Sequence, residues 1–366
     1  MKNKDKLTVL VFTLLLGTLT LFCWLKPHTV YSESERRPLE EKPEFVFSSI
    51  VTGAYMKTFE TYVTDQFPMR DTFRGVKAIF SEYVLSKKDN NELYVAEGHI
   101  SKLDYPANKE MTEHAKKRFD YLYETYMKEK NVKIYLSLIP DKNYFLAKKH
   151  GYPSIDYEAF VNDFKGKLDY MEYIDVTHLL TPHDYYRTDS HWKQENITDV
   201  AEFLAQKMGG NAKTEYSVNV LDNPFNGVYK GQLALPFQPD VIRYLTNDIL
   251  NACKVTYFDT GKGVSGEMYN MEKAYGKDPY EMFLSGTSAL IEIENPNAET
   301  DKELVLFRDS YGSSIAPLLV PAYKKVTVVD IRYIQSGFLG NFIEFSNQDV
   351  LFLYSTTLIN NSTAMR

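Results

Sequence analysis

Apolar positions recur along this chain with two periods, and the switches between them mark its elements. The first run is continuous: Leu7–Leu25 is uncharged and mostly apolar, follows Lys2, Lys4 and Lys6, and ends at Lys26-Pro27. At about 1.5 Å per residue it is long enough for one membrane crossing. The preceding lysines place the N-terminus inside and the rest of the chain outside. A cleaved signal peptide is the rival reading, but no small-x-small site follows the run, which favours an uncleaved anchor. Phe22 sits before Cys23 where a lipobox needs a small residue.

Beyond the anchor, 27–47 is charged and holds Pro27, Pro38 and Pro43, the composition of a stalk. From Ile50 to Lys88 the spacing is helical (Met56, Phe59, Tyr62, Val63), with a break and restart at Asp65–Asp71 and Pro68 near the new helix start. Leu93–Leu103 reads as short strands around a Glu97-Gly98 turn. Asn108–Asn131 is a helix with Met111, Ala115, Phe119, Leu122 and Tyr126 in one stripe. Val132–Ile139 is a strand; Asp156–Leu168 a helix; Tyr173–Val176 a short strand; Gln194–Met208 a helix. Gly, Asn, Pro and Asp then punctuate short β-type runs over Asn211–Asn297, which reads as an inserted set of hairpins and loops. Glu303–Phe307, Lys325–Val329 and Val350–Tyr354 resume the strand pattern between helices. Alternation of this kind predicts an α/β fold, a parallel sheet with helices on both faces. The expected organisation is an anchor at 1–26, a stalk at 27–47 and one extracytoplasmic domain at 48–366, with its insertion at about 211–297.

Composition adds exclusions. A net charge of −7 over 366 residues argues against nucleic acid as the partner. The 28 tyrosines suit a surface that binds sugars, although packing accounts for most of them. The 2 cysteines, Cys23 in the anchor run and Cys253 near a strand, are not placed to pair, which implies an exported domain without disulfides.

Candidate chemistry centres on Leu304–Ser314. A short apolar strand stops at Arg308-Asp309-Ser310, Gly312 allows a sharp turn, and Ile315–Val320 reads as a helix. A serine at such a turn either caps the helix or acts as a nucleophile beside helix amides that serve as an oxyanion hole. The nucleophile reading needs a base, and Asp189-Ser190-His191 offers one. Two residues apart on a loop, the carboxylate can orient the ring while its far nitrogen takes the serine proton. The alternatives are that Asp189 caps a helix starting near Trp192, or that His178, His183, Asp184, Asp189 and His191 bind a metal. That last spacing matches no compact ligand motif.

Thr188-Asp189-Ser190-His191-Trp192 resembles the signature of the DHHW family of bacterial surface proteins, similar in turn to the SGNH hydrolase-like domains of the alginate O-acetylation proteins. Asp65-Gln66-Phe67-Pro68-x-Arg70-Asp71, Ile139-Pro140-Asp141-Lys142, Phe307-Arg308-Asp309-Ser310-Tyr311-Gly312 and Val329-Asp330-Ile331-Arg332-Tyr333 carry the resemblance in the expected order. Ser190 departs from it where the family name has a first histidine, and D-x-H is kept at Asp189 and His191. The resemblance implies a three-layer α/β/α fold and catalytic Ser310, His191 and Asp189, with the Asp-His pair preceding the serine. It implies acetyl transfer through a serine ester onto a polysaccharide hydroxyl, without metal or cofactor. A membrane-bound O-acyltransferase would supply the acetyl groups. Arg332, Trp192, Lys142 and Tyr311 are the candidate substrate-binding residues. Salt bridging for Arg332, strand capping for Lys142 and packing for Trp192 are the alternatives. Arg70 and Asp71 are expected to fix the N-terminal helices to the core, and Tyr280 and Gly286 are candidates to line the cleft. An esterase with the same triad and a non-enzymatic polysaccharide-binding or assembly protein are the competing functions.

Overall fold

The computed structural model describes residues 3–366, which divide into two compact units: residues up to Asn91 with Val228–Phe237, and Glu92–Gly227 with Gln238–Arg366.

In the first unit, α1 (Asn3–Leu25) is long and apolar enough to cross a membrane, and none of its residues is buried. A short hairpin follows, β1 (Tyr31–Ser32) against β2 (Arg37–Pro38), and then three helices: α2 (Phe47–Val51), α3 (Ala54–Asp65) and α4 (Arg70–Ile79). A wider, π-type turn continues α4 over Phe80–Val84. The Asp65–Asp71 stretch is the expected break, with Met69 in the left-handed region at φ 54°. Ion pairs fill the space between hairpin and helices. Buried Asp65 takes both Arg37 guanidinium nitrogens at 2.9 and 2.6 Å, and Arg70 at 3.2 Å. Glu35 pairs with Arg70 and, at 3.3 Å, with Arg74. Arg74 also donates to the Gly231 and Gln232 carbonyls. Arg70 is therefore bound to the hairpin, while Asp71 is exposed.

The second unit opens with the hairpin β3 (Leu93–Ala96) and β4 (His99–Lys102), turning at Glu97-Gly98. Then come α5 (Lys109–Leu122), β5 (Lys133–Ile139), α6 (Lys142–His150), α7 (Tyr157–Lys165), β6 (Glu172–Tyr173) and α8 (Thr198–Lys207). The side chains of Asn108, Asp141 and Asp156 cap α5, α6 and α7, each accepting a backbone N–H of the first turn. β7 (Ser217–Phe225) and β8 (Asp240–Thr246) form a separate antiparallel pair. The remaining strands are β9 (Lys254–Tyr257), β10 (Val264–Gly266), β11 (Leu290–Glu294), β12 (Glu303–Arg308), β13 (Lys325–Val329) and β14 (Asp349–Ser355), with α9 (Tyr311–Leu319) between β12 and β13.

One eight-stranded sheet runs β10-β9-β11-β13-β12-β14-β5-β6. The pairs from β13 to β6 are parallel, and β11, β9 and β10 add an antiparallel edge. Part of the segment read as an insertion from its turn residues is thus sheet. Ile291 and Ile293 alternate inward along β11, but so short a run carries no mark of its partner strand.

Period-two burial splits the core into two layers. Leu304, Leu306, Val326, Val328, Leu351 and Leu353 face one side with α8 and α9. Val305, Phe307, Val329, Val350, Phe352 and Tyr354 face the other with α5 and α7. The fold is the expected three-layer α/β/α arrangement with a mainly parallel sheet. After β12 the chain runs through α9 on the first face to β13. After β13 it passes along the second face, burying Leu339, Ile343 and Phe345, to β14 on the other side of β12. The carboxyl ends of β12 and β14 therefore meet at a topological switch point, where α/β sheets form their clefts.

Candidate active site

β12 ends at Arg308, and α9 starts three residues later, so Asp309 and Ser310 turn at that switch point. Two observations fix the turn. Asp309 accepts the Tyr311 N–H at 3.0 Å on one carboxylate oxygen and the Ser355 N–H at 2.8 Å on the other, tying the ends of β12 and β14 together. Gly312 packs on Arg308, and a Cβ there would lie 2.4 Å from the arginine Cβ. Glycine is required for this close approach, not for a left-handed backbone. Ser310 itself has helical angles (φ −63°, ψ −21°) and its hydroxyl makes no capping bond. Asp309 performs that role. The Gly312 N–H donates to the Asp309 carbonyl at 3.0 Å. The amides of Tyr311 and Gly312, which follow Ser310 directly, are thus engaged within the turn.

The Ser310 hydroxyl instead meets His191, with Oγ 2.7 Å from Nε2. His191 Nδ1 lies 2.6 Å from Asp189 Oδ1, which also accepts the His191 backbone N–H at 3.1 Å. Asp189 is fully buried, whereas Ser310 and His191 are partly exposed. Spacing in sequence left open that Asp189 caps a helix starting near Trp192; the helical turn there starts at Gln194 with Lys193 at its cap position, and Asp189 instead accepts the His191 N–H and closes the loop around the carboxylate.

The loop is held from several sides. A bridge between Tyr185 and Trp192 closes it, with the Tyr186 N–H donating to the His191 carbonyl at 3.0 Å. From below, the ammonium of Lys142, fully buried at the start of α6, donates to the carbonyls of Tyr186 at 2.8 Å, Arg187 at 3.4 Å and Asp189 at 2.7 Å. Burial pushes its pKa down to about 7 against the attraction of Asp189, Asp240 and Asp141. Asp240 of β8 binds the Thr188 N–H and hydroxyl at 2.7 and 2.6 Å. Gly227 fits under the same residue, where a Cβ would come within 2.2 Å of the Thr188 carbonyl oxygen.

Tyr280 fixes the imidazole. Its ring lies parallel to His191, with centroids 3.9 Å apart at 8°, and its buried hydroxyl meets Ser314 Oγ at 2.9 Å. The sequence marks Tyr280 as a cleft residue but carries no sign of this stack, because the tyrosine is far from His191 in the chain. Asp240 and Asp309 escape detection as supports for the same reason: their partners are backbone amides distant in sequence or hidden in the turn.

The four candidate substrate-binding residues all have internal partners. Trp192 is fully buried, its indole N–H donating to the Tyr311 carbonyl at 3.1 Å and Ser314 Oγ at 2.9 Å. Tyr311 donates its hydroxyl to the Ser190 carbonyl at 2.6 Å, strapping the histidine loop to α9. Lys142 supports the loop from the interior. Arg332 forks onto Asp330 at 2.9 and 2.6 Å, and Asp330 also receives the buried Arg308 at 3.1 Å. Arg332 keeps some exposure at 17% of its side chain. Gly286 accepts Arg308 through its carbonyl at 3.1 Å. His178 packs edge-on against Phe203, and His183 against His99, so the histidines considered as metal ligands point to different neighbours. Among the described residues no group of three His, Cys, Asp or Glu side chains has the geometry to hold a metal ion.

No protein-family model matches the chain, and no curated protein matches it in sequence. Solved structures do. A DHHW family protein from Eubacterium siraeum superposes with a TM-score of 0.61 at 20% identity, over 75% of this chain and 94% of that one. PatB1 from Bacillus cereus, solved with a sulfonyl adduct, gives 0.58 at 20% identity over 73% and 97% of the two chains. A second PatB1 structure gives 0.59 at 18% identity over 73% and 96%. The likeness expected from the motifs is therefore found as a shared fold.

Proposed function

We propose that this chain is a cell-surface O-acetyltransferase that carries an acetyl group on Ser310 to a hydroxyl of an exported polysaccharide. One observation carries the reading: the continuous relay from Asp189 through His191 to the Ser310 hydroxyl, with both contacts within hydrogen-bond reach. The position of the serine at the switch point between β12 and β14 and the fold shared with a DHHW family protein add support.

The steps balance with one mobile proton. His191 Nε2 takes the Ser310 proton as Oγ attacks the acyl carbonyl of an ester donor. The tetrahedral centre collapses, the donor's C–O bond breaks, and the leaving oxygen takes the proton from His191. A sugar hydroxyl then gives its proton to the same nitrogen and attacks the serine ester. Ser310 leaves and recovers its proton. Asp189 holds the Nδ1–H tautomer and stabilises the imidazolium through both transfers. Trp192, Tyr311, Lys142 and Tyr280 position the loop and the ring. Arg332, with its partial exposure, is the substrate-binding residue of this reading. The apolar α1 serves as an uncleaved anchor that keeps the domain outside the cell, where a membrane-bound O-acyltransferase supplies the acetyl group.

Ser310→Ala is expected to abolish acetylation of the surface polymer while the protein stays folded and membrane-bound. Unchanged acetyl content in cells carrying only that variant would exclude the enzymatic role. The esterase alternative uses the same triad with water as acceptor. A purified-protein assay with an acetyl-ester donor, with and without oligosaccharide, separates the two: transfer requires acetylated sugar to appear in place of free acetate.

A further inference from the structure

In the first unit, α4 and the turn that continues it are amphipathic in the opposite sense to a core helix. At 100° per residue, Phe73, Val76, Phe80 and Tyr83 fall on one face, with Ile79 and Val84 at its shoulders. All six are exposed, Val76 at 60% and Tyr83 at 73%. The opposite face, Arg70, Arg74, Ala78 and Ser81, is turned inward, with both arginines ion-paired. At the start of α2, Phe45 just before it and Phe47 as its first residue are also exposed, at 75% and 76%. A helix that buries its arginines and presents aromatics outward is built to meet an apolar phase.

The chain itself indicates which phase. α1 spans 23 residues, roughly 35 Å at 1.5 Å per residue, close to the thickness of a hydrocarbon core. The chain leaving it is held to the end of α3. Gln66 brackets Thr29 with two hydrogen bonds, of 3.0 and 2.8 Å, and the Tyr62 hydroxyl meets His28 Nδ1 at 3.1 Å. Farther along, a cleft of about 660 Å³ is lined from α1 by Leu16, Leu19 and Trp24 and from α3 by Phe59 and Val63. α3 therefore lies along the outer end of α1, and α4 begins at Arg70, just beyond Gln66.

We infer that the apolar face of α4 and its continuation lies in the outer boundary of the lipid bilayer, buried about 5–10 Å into the zone between headgroups and acyl chains, as a second attachment beside α1. This rests on reading α1 as an uncleaved anchor. The face then fixes the first unit against the membrane and not merely near it. The attachment is independent of the second unit's site and of its reaction.

Site-directed spin labelling of the full chain, in a Cys23→Ser/Cys253→Ser background and reconstituted into phosphatidylcholine/phosphatidylglycerol vesicles, tests this. Labels at Val76→Cys and Tyr83→Cys report the face, one at Leu16→Cys reports the anchor, and one at Lys88→Cys reports water. The expected result is that 76 and 83 behave like 16, accessible to dissolved oxygen and shielded from a water-soluble nickel chelate, while 88 shows the reverse. If 16 is in lipid but 76 and 83 meet the chelate, the inference fails and the anchor stands. If 76 and 83 are shielded from both reagents, protein covers the face, as a second copy would, and the inference also fails. If 16 meets the chelate, it is the anchor that fails.

Discussion

The two units of this protein handle charge and apolar surface in opposite ways. In the second unit the strands hide Leu306, Phe307 and Phe352 completely, and several of its buried charges hold the site: Lys142 under the histidine loop, Arg308 and Asp330 beneath the serine turn, Asp189 against His191. In the first unit the interior is an arginine–carboxylate lattice, and the large apolar residues of α4 face outward. The sheet unit gains its stability by removing apolar area from water. The helical unit leaves that area uncovered, which fits a surface completed by something outside the polypeptide. Burial alone is therefore no guide to importance here: the same residue types are core in one unit and contact surface in the other.

Changes within the site should give the largest effects. Asp189→Asn is expected to keep the loop's shape but present the wrong histidine tautomer, lowering turnover of an acetyl-ester donor by roughly 10⁴-fold. A small loss with an unshifted pH profile would remove Asp189 from the relay. Truncating matched apolar residues tests the comparison directly. Leu306→Ala, in the core, should cost about 2–5 kcal/mol of stability, read as a lower melting midpoint in detergent. Val76→Ala, on the exposed face, should stay within about 0.5 kcal/mol. A Val76→Ala cost as large as that of Leu306→Ala would mean that the face is packed against protein.

A smaller effect is expected at Lys142. Lys142→Met should reduce turnover on the order of tenfold, about 1.4 kcal/mol, by loosening the carbonyls it gathers. It also has a pH signature. The native ammonium titrates near 7 while the unfolded chain holds its proton to the ordinary lysine value of 10.5, so between these values the unfolded state binds more protons. Stability due to this residue is thus fully present above the ordinary value and is lost as pH falls from there to about 7. Unfolding titrations should show a wild-type stability that rises with pH across that window relative to Lys142→Met. Parallel profiles would mean that Lys142 is not held in a desolvated site.

Much of the second unit was legible in the sequence. Apolar runs such as Leu304–Phe307 and Val350–Tyr354, short, rich in β-formers and bounded by charge or turns, fit strands covered on both faces, and Asn108 and Asp156 stand at the starts of helices read from their apolar spacing, whereas the helix that Asp141 caps went unread. The D-x-H spacing in Asp189-Ser190-His191 brought the carboxylate and ring together because two residues in a tight loop have little choice. By contrast, Trp192 and Tyr311 looked like substrate contacts and are held inside. Nothing in composition separates an indole that stacks a ligand from one that donates to a carbonyl 119 residues away.

What the sequence by itself determined were the properties set by neighbours along the chain: an apolar N-terminal helix, alternating strands and helices, a serine at a strand-to-helix turn, and a carboxylate two residues from a histidine. Tertiary structure decided what needs distant groups to meet. It supplied the antiparallel edge of the sheet, the Tyr280 ring beneath His191, the lysine under the loop, and the 2.7 Å approach of Ser310 to its base. It also decided which face of α4 turned outward. Periodicity gives an amphipathic helix two faces, and only the arginine partners from the hairpin and α3, Glu35 and Asp65, determine that the polar one is buried.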